Sequence, residues 1–265
     1  MNLIRDADSL MLRQCVDLNC DIADSAESLS LENEAAIMNF VTSVNIPCGF
    51  HALDPVTIRR VVQLALESGV SIGAHPGFFD PADSGRREMT MSLSDVEDIV
   101  LYQISALDGI VRAEGGTLCH VKPHGALYNT AAVNQDLAYA VAGAVGLLDS
   151  NLVLIGLSGS YLLEAGQKKG LKVASEVFGD RAYEPTGVLR SRQFSDSLIQ
   201  ESSLVVRRVI QMVRDGVVHS VTGQAIDVTA DTVCVHGDTP GAQALLRDLR
   251  MALHADGIEL APLKS

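Results

Sequence analysis

Basic charge is what this chain most lacks. Its 265 residues carry 20 Lys and Arg against 33 Asp and Glu, a formal charge of −13. Nucleic acids and anionic membranes need a basic surface, so the balance argues against both as partners. A small anionic substrate remains possible, because a few arginines can reverse the field inside one pocket. Cysteine is scarce too: five residues, at 15, 20, 48, 119 and 234, with no CxxC pair and no zinc-ribbon spacing. Most lie in apolar runs, which predicts reduced, buried thiols. Long apolar runs are missing; the longest, Ala138 to Leu148, is about half of a membrane span. The opening MNLIRDADSLMLRQ has neither the apolar core nor the cleavage site of a secretory leader. The expectation is a soluble, cytoplasmic protein.

Several local motifs are also missing. No Gly-x-x-x-x-Gly-Lys-Ser/Thr loop is present, so the chain has no P-loop. Gly156-Leu-Ser-Gly-Ser comes near a nucleophile elbow but lacks its last glycine. No Gly-x-Gly-x-x-Gly follows a strand pattern, which disfavours a dinucleotide fold. No low-complexity tract or Pro/Ser linker divides the chain, and 47% apolar content suffices for one large core. One barrel domain over residues 1–265 is expected.

What is present is a repeated grammar. A short apolar run ends in polar residues, and an amphipathic helical pattern follows. The strand candidates are Cys15–Asp21, Val41–Ile46, Ser71–Ala74, Thr117–Val121, Leu152–Leu157, Leu171–Val177 and Thr232–Val235. Helical patterns run over Val56–Leu66, Ser94–Glu114, Leu137–Leu148, Tyr161–Gln167, Ser197–Arg214 and Gly241–Asp256. Asp54-Pro55 supplies an N-cap and a first-turn proline, and Ser94-Asp-Val-Glu reads as a capping box. Residues 216–228 read as a small hairpin. Strand alternating with helix implies a parallel sheet with crossover helices. Seven strands predict an irregular seven-stranded α/β barrel, with an open doubly wound sheet as the alternative.

The chemistry sits at the ends of these strands. Asp17, Asn19 and Asp21 alternate along the first, so they share one face. Asn45 and His51, His75, the stretch HVKPHGALYN with His120, Lys122 and His124, then Glu176 with Asp180 and Arg181, then His236 and Asp238 complete the set. Loops after parallel strands meet at one face, so these groups are expected to converge there. Pro123 and Gly125 would fix the turn that aims Lys122 and His124 inward. Arg86-Arg87, in the loop after His75, reads either as a solvated pair or as a carboxylate clamp. His219 and His254 fall on surface segments and take no role.

The segments DLNCD (17–21), SVNIPCGFH (43–51), GAHPGFFD (73–80), GRREM (85–89), HVKPHGALYN (120–129), EVFGDRAY (176–183) and CVHGDTP (234–240) resemble the 5-oxoprolinase A-subunit family, the LamB/YcsF lactam-utilisation group. They run in family order over nearly the whole chain. The resemblance implies a distorted seven-stranded barrel related to the polysaccharide deacetylases. It further implies a subunit of an enzyme that opens the lactam of 5-oxo-L-proline to glutamate, using ATP with Mg²⁺ and partner subunits B and C. The pattern departs at Ile22-Ala23-Asp24, usually Leu-Gly-Glu, at Leu53, usually glycine, and at Asp83-Ser84, usually Gly-Phe. Leu53 and Asp83 thus replace glycines where φ could be positive. All three changes sit near the expected pocket mouth and bear on the substrate.

On this reading Asp17, Asp21, His75, Lys122, His124 and Glu176 are the catalytic candidates. Lys122 would stabilise charge on oxygen, His124 or His75 would carry a proton to the leaving nitrogen, and Asp17, Asp21 or Glu176 would activate water or orient the histidines. Asn19, Asn45, His51, Arg86, Arg87, Asp180, Arg181, His236 and Asp238 are the substrate-binding candidates. Asp21, His51, His75, His124 and His236 are candidate ligands for a divalent cation. Lys122 in their midst argues against one, since it already supplies positive charge. Two further classes stay open: a stand-alone metal-dependent amidohydrolase or deacetylase, and a non-catalytic binding subunit.

Overall fold

Short apolar runs that lack helical period become buried parallel strands once helices cover the outer face of a sheet. The computed structural model of the chain describes residues 15–23, 30–237 and 241–264. Along the chain run β1 (Cys15–Asp21), α1 (Leu31–Met38), β2 (Ser43–Pro47), α2 (Pro55–Ser68), β3 (Ser71–His75), α3 (Leu93–Ala113) and β4 (Leu118–Val121). Then come α4 (Gly125–Val133), α5 (Gln135–Leu148), β5 (Val153–Leu157), α6 (Tyr161–Lys168), β6 (Lys172–Phe178) and α7 (Ser202–Asp215). The chain ends with β7 (Val217–His219), β8 (Ala225–Asp227), β9 (Thr232–Cys234), α8 (Ala242–Ala255) and β10 (Glu259–Leu260).

Strands β1 to β6 pair in order, β9 joins β6, and β9 also pairs with β1. Every one of these pairings is parallel, so the sheet closes into a seven-stranded barrel and the open-sheet alternative falls. Strand β10 adds beside β1 at its first residues, and β7–β8 form the expected antiparallel hairpin.

Alternation sorts the side chains. Val16, Leu18 and Cys20 of β1, Val44 and Ile46 of β2, and Val121 of β4 join the buried apolar layer under the helices. The other face of β1, with Asp17, Asn19 and Asp21, is buried among polar groups of neighbouring strands. Strand β5 contributes no such group; its Val153 and Ile155 pack with Ala174 of β6 in a small apolar cluster.

Three features differ from the sequence reading. The cap of α3 is Ser92, whose Oγ accepts from Asp95 N, rather than Ser94. Helix α7 starts at Ser202 rather than Ser197; residues 181–198 before it form a flap in which Arg181 bridges Leu198 and Tyr183 bridges Leu189. Helices α1 and α4 have no counterpart among the expected helical patterns. Asp54 caps α2 as predicted, accepting from Val56 N and Thr57 N. Among the described residues, no single helix is long and apolar enough to cross a membrane.

Candidate active site

Parallel closure brings the C-terminal ends of the strands to one rim. A cleft of about 640 Å³ opens there, with Asp21, His75, Lys122, His124, Phe178 and His236 among its lining residues. Five arginines, Arg86, Arg87, Arg181, Arg190 and Arg192, stand around it, against Asp83 and Glu88. The chain is strongly acidic overall, yet this mouth is basic.

Lys122 occupies the floor and is 2% exposed. Its Nζ lies 2.8 Å from Asp21 Oδ1 and 2.8 Å from Glu176 Oε1. It also donates to Asn19 Oδ1 at 3.3 Å and to Cys234 Sγ at 3.1 Å, and lies 5.1 Å from the centre of the Phe178 ring. Burial opposes its charge, but the neighbouring carboxylates, Asp21 foremost, hold the ammonium well above the ordinary lysine range. Burial likewise opposes ionisation of Asp21; His75 and Lys122 outweigh it and hold the carboxyl well below its usual range. Cys234, pushed up well above the usual thiol range by burial and then by Asp21, stays a neutral thiol.

A directed chain of hydrogen bonds supports this floor. His120 Nε2 donates to Asn45 Oδ1 at 2.7 Å. Asn45 Nδ2 donates to Asp21 Oδ1 at 2.7 Å and to Asn19 Oδ1 at 2.8 Å. Asn19 Nδ2 donates to Glu176 Oε1 at 2.9 Å, and Tyr128 OH donates to Glu176 Oε2 at 2.7 Å. Both carboxylates are thereby fixed in position as acceptors.

Two histidines form a pair at the cleft wall. His75 Nδ1 donates to the Lys122 carbonyl at 2.7 Å, and His124 Nε2 donates to the Ser84 carbonyl at 2.7 Å. A neutral imidazole has one N–H, and both rings have spent theirs. Yet His75 Nε2 and His124 Nδ1 face each other at 2.9 Å. Two lone pairs at that distance repel, so the pair holds one added proton between them. His75 Nε2 is also 3.5 Å from Asp21 Oδ2.

The expected residues do not all reach the cleft. Asp17 does not line it. Its Oδ1 accepts from Thr42 at 2.7 Å, and its Oδ2 accepts from Ser43 at 2.8 Å and Thr232 at 2.5 Å. A strand rises ~3.3 Å per residue, so four residues put Asp17 ~13 Å below Asp21, too deep to touch water or substrate. Asn19, Asn45 and Glu176 are buried beneath the cleft and hold its floor rather than face its space. His51 stacks on His124, ring centres 3.9 Å apart, behind the wall. Asp180 accepts from His236 N and Nδ1, both at 3.0 Å, which fixes the ring that lines the mouth. Arg87 pairs with buried Asp80 at 3.0 Å. Asp24 and Asp238 lie outside the described residues.

The proposed cation ligands do not fit together. Among the described residues no group of three His, Cys, Asp or Glu side chains is placed to hold a metal. The physical reason is visible: the Lys122 ammonium sits where a cation would balance Asp21, and His75 and His124 direct their nitrogens at carbonyls and at each other. His120 and His124, four residues apart, diverge, one to Asn45 and the other to Ser84.

The positive-φ expectation holds for Leu53 (φ 65°) but not for Asp83; its neighbour Ser84 (φ 46°) takes that conformation, as does Ala23 (φ 57°). Ser84 thereby presents the carbonyl that fixes His124. Sequence reasoning does not single out Tyr128, Cys234, Arg190 or Arg192. Tyr128 lies within HVKPHGALYN, where its register after Lys122 is the available signal.

The fold and its mouth define a class: a closed seven-stranded parallel β/α barrel with a buried lysine–carboxylate–histidine floor. A peptidoglycan N-acetylglucosamine deacetylase catalytic domain from Eubacterium rectale shares the fold, with TM-score 0.51 at 10% identity over 95% of this chain and 89% of the other. Much nearer is a lactam utilization protein from Thermus thermophilus, 41% identical, TM-score 0.87, covering 94% of this chain and 100% of the other. The 5-oxoprolinase A subunit of Bacillus licheniformis is 48% identical over 245 residues, 92% of this chain and 97% of that protein. The LamB/YcsF family profile matches residues 16–265, and the chain belongs to that family.

Proposed function

We propose that the chain is one component of an ATP-dependent 5-oxoprolinase, in which it binds 5-oxo-L-proline and opens the lactam ring to L-glutamate. The observation that carries this reading is Lys122 held between Asp21 and Glu176 at the floor of an arginine-rimmed cleft. The names of the similar proteins from Bacillus and Thermus support it.

A five-membered lactam resists water at neutral pH. Phosphorylation of its amide oxygen by ATP makes the ring carbon a better electrophile. This chain has no P-loop, so nucleotide and Mg²⁺ fall either to partner subunits B and C or to a loop of this chain without that motif. Here, water adds to the ring carbon and gives its proton to Asp21. Lys122 stabilises negative charge on the oxygen. The C–N bond breaks as the ring nitrogen takes the proton held between His75 and His124, the adduct's hydroxyl proton returns to that pair, and a second water cleaves the resulting acyl phosphate to L-glutamate and inorganic phosphate. The phosphoryl group thus leaves as phosphate, two waters are consumed, and no step runs through a metal on this chain.

The test is glutamate formation by the chain assembled with subunits B and C, given 5-oxo-L-proline and ATP. Lys122→Met should lower turnover by at least ~100-fold, the scale of losing one preorganised charge. Because that change strands two buried carboxylates, His124→Gln serves as the second variant and should cut turnover while the chain stays folded. Full turnover with both variants would make this a binding subunit only. Turnover by the isolated chain without ATP would favour the stand-alone amidohydrolase. No glutamate from the wild-type assembly would end the lactam reading.

A further inference from the structure

The five mouth arginines are not equivalent. Arg87 is neutralised by Asp80, and Arg190 by Glu184 and Asp196, with its guanidinium 4.1 Å from the Phe194 ring centre. Arg86 lines the rim beside them. Arg181 is different: it is 4% exposed, lines the cleft, and has no carboxylate within ion-pair distance among the described residues. Its Nη2 donates to the Arg190 carbonyl at 2.7 Å and its Nε to the Ser197 carbonyl at 3.4 Å. A guanidinium has five N–H groups, so three of them take no acceptor from the described chain. Asp180, next in sequence, spends both oxygens on His236. Arg192 also lines the cleft without an ion pair among the described residues. Burial first, and then the nearby charge of Arg192, push the pKa of Arg181 down to about 10, and the Asp180 carboxylate, held by His236, opposes this only in part. A buried cation beside a second cation, braced by carbonyls and facing a cleft, is costly unless an anion completes it.

We propose that Arg181 and Arg192 form the anion seat of the cleft, which on the lactam reading takes the ring carboxylate of 5-oxo-L-proline. The seat rests on that reading for the identity of its ligand, not for its charge. Arg181 supplies the fixed fork, because its orientation is set by two backbone carbonyls. Arg192 is exposed on the flap and closes on the second oxygen. The pair makes the site select an acidic lactam over a neutral one, since a neutral ring leaves the buried guanidinium uncompensated. Arg87, tied to Asp80, contributes field but no fork.

The experiment compares binding of 5-oxo-L-proline, neutral 2-pyrrolidinone and inorganic phosphate by titration calorimetry, with the full chain alone and assembled with its partners. Arg192→Gln is the primary variant, because it touches neither of the carbonyl bonds of Arg181; Arg181→Lys keeps the charge but loses the fork, and Arg181→Met removes both. The preference for 5-oxo-L-proline over 2-pyrrolidinone should fall at least ~10-fold in Arg181→Met and several-fold in Arg192→Gln, the scale of a lost charge-assisted pair. Unchanged preference in both Arg192→Gln and Arg181→Met would overturn the seat while leaving the lactam reading standing. If the wild type takes up neither lactam, the lactam reading fails, and phosphate decides the seat. Phosphate bound more weakly by Arg192→Gln than by wild type would uphold it; equal binding would overturn it.

Discussion

His120 works at a distance from the cleft. It is fully buried, and its Nε2 donor orients Asn45, which in turn orients both Asp21 and Asn19. Burial, then the charge of Lys122, push its pKa from 6.5 down to about 3. The unfolded chain therefore takes up a proton near pH 6.5 that the folded chain refuses until about 3. The stability this residue contributes is complete above that upper value and drains away as the pH falls towards the lower one. Thermal melts across this range should lose less Tm on acidification in His120→Gln than in the wild type. Parallel slopes for the two proteins would remove His120 as the source. Asp21 adds to the same acid sensitivity at lower pH, because its folded carboxyl titrates well below the usual range. Lys122 acts at the other end: its stabilisation is full below the ordinary lysine pKa and is lost as the pH climbs through its raised one.

At the scale of elements, β3 makes room for β4. A β-carbon on Gly73 would stand 1.9 Å from His120 Nε2, and the β3–β4 register shifts between Ile72 and Gly73. Gly73→Ala should therefore lower the urea midpoint, by ~1–3 kcal/mol of stability or more, and displace the imidazole from Asn45. An unchanged midpoint would mean that the ring has somewhere else to go. The strands were legible because each is a short apolar run stopped by a polar group, and six of the seven polar ends do reach the rim or its floor. The alternation of Asp17, Asn19 and Asp21 revealed their shared face but not their depth, and depth is what separates Asp17 from the cleft. Helix α4 was hidden because Gly125-Ala-Leu-Tyr-Asn-Thr-Ala-Ala-Val has apolar residues on every side and no period to detect. The flap before α7 carries Arg190 and Arg192, and nothing in its polar sequence marked it as a wall of the site.

The whole molecule sets a field. A chain with formal charge −13 repels small anions on average, and its arginine mouth works against that field. Attraction there competes with repulsion from the surrounding surface, and salt screens both over ~10 Å at 0.1 M. The nearer interaction survives screening better, but a charged ligand still loses local attraction as salt rises. Affinity for 5-oxo-L-proline should thus weaken between roughly 0.02 and 0.5 M sodium chloride, with that for 2-pyrrolidinone flat. A neutral ligand with the same salt slope would point to a general effect on the fold. The barrel seam has a consequence of another kind. Asn19 of β1 bonds Thr232 of β9, and Lys122 rests against Cys234 of the same strand. Until β9 leaves the ribosome, the lysine and its two carboxylates have an unfinished box around them. A nascent chain stopped before Thr232 would hold Asp21, Lys122 and Glu176 and still lack the wall that dries them, so the floor should lock only once β9 has joined both of its neighbours.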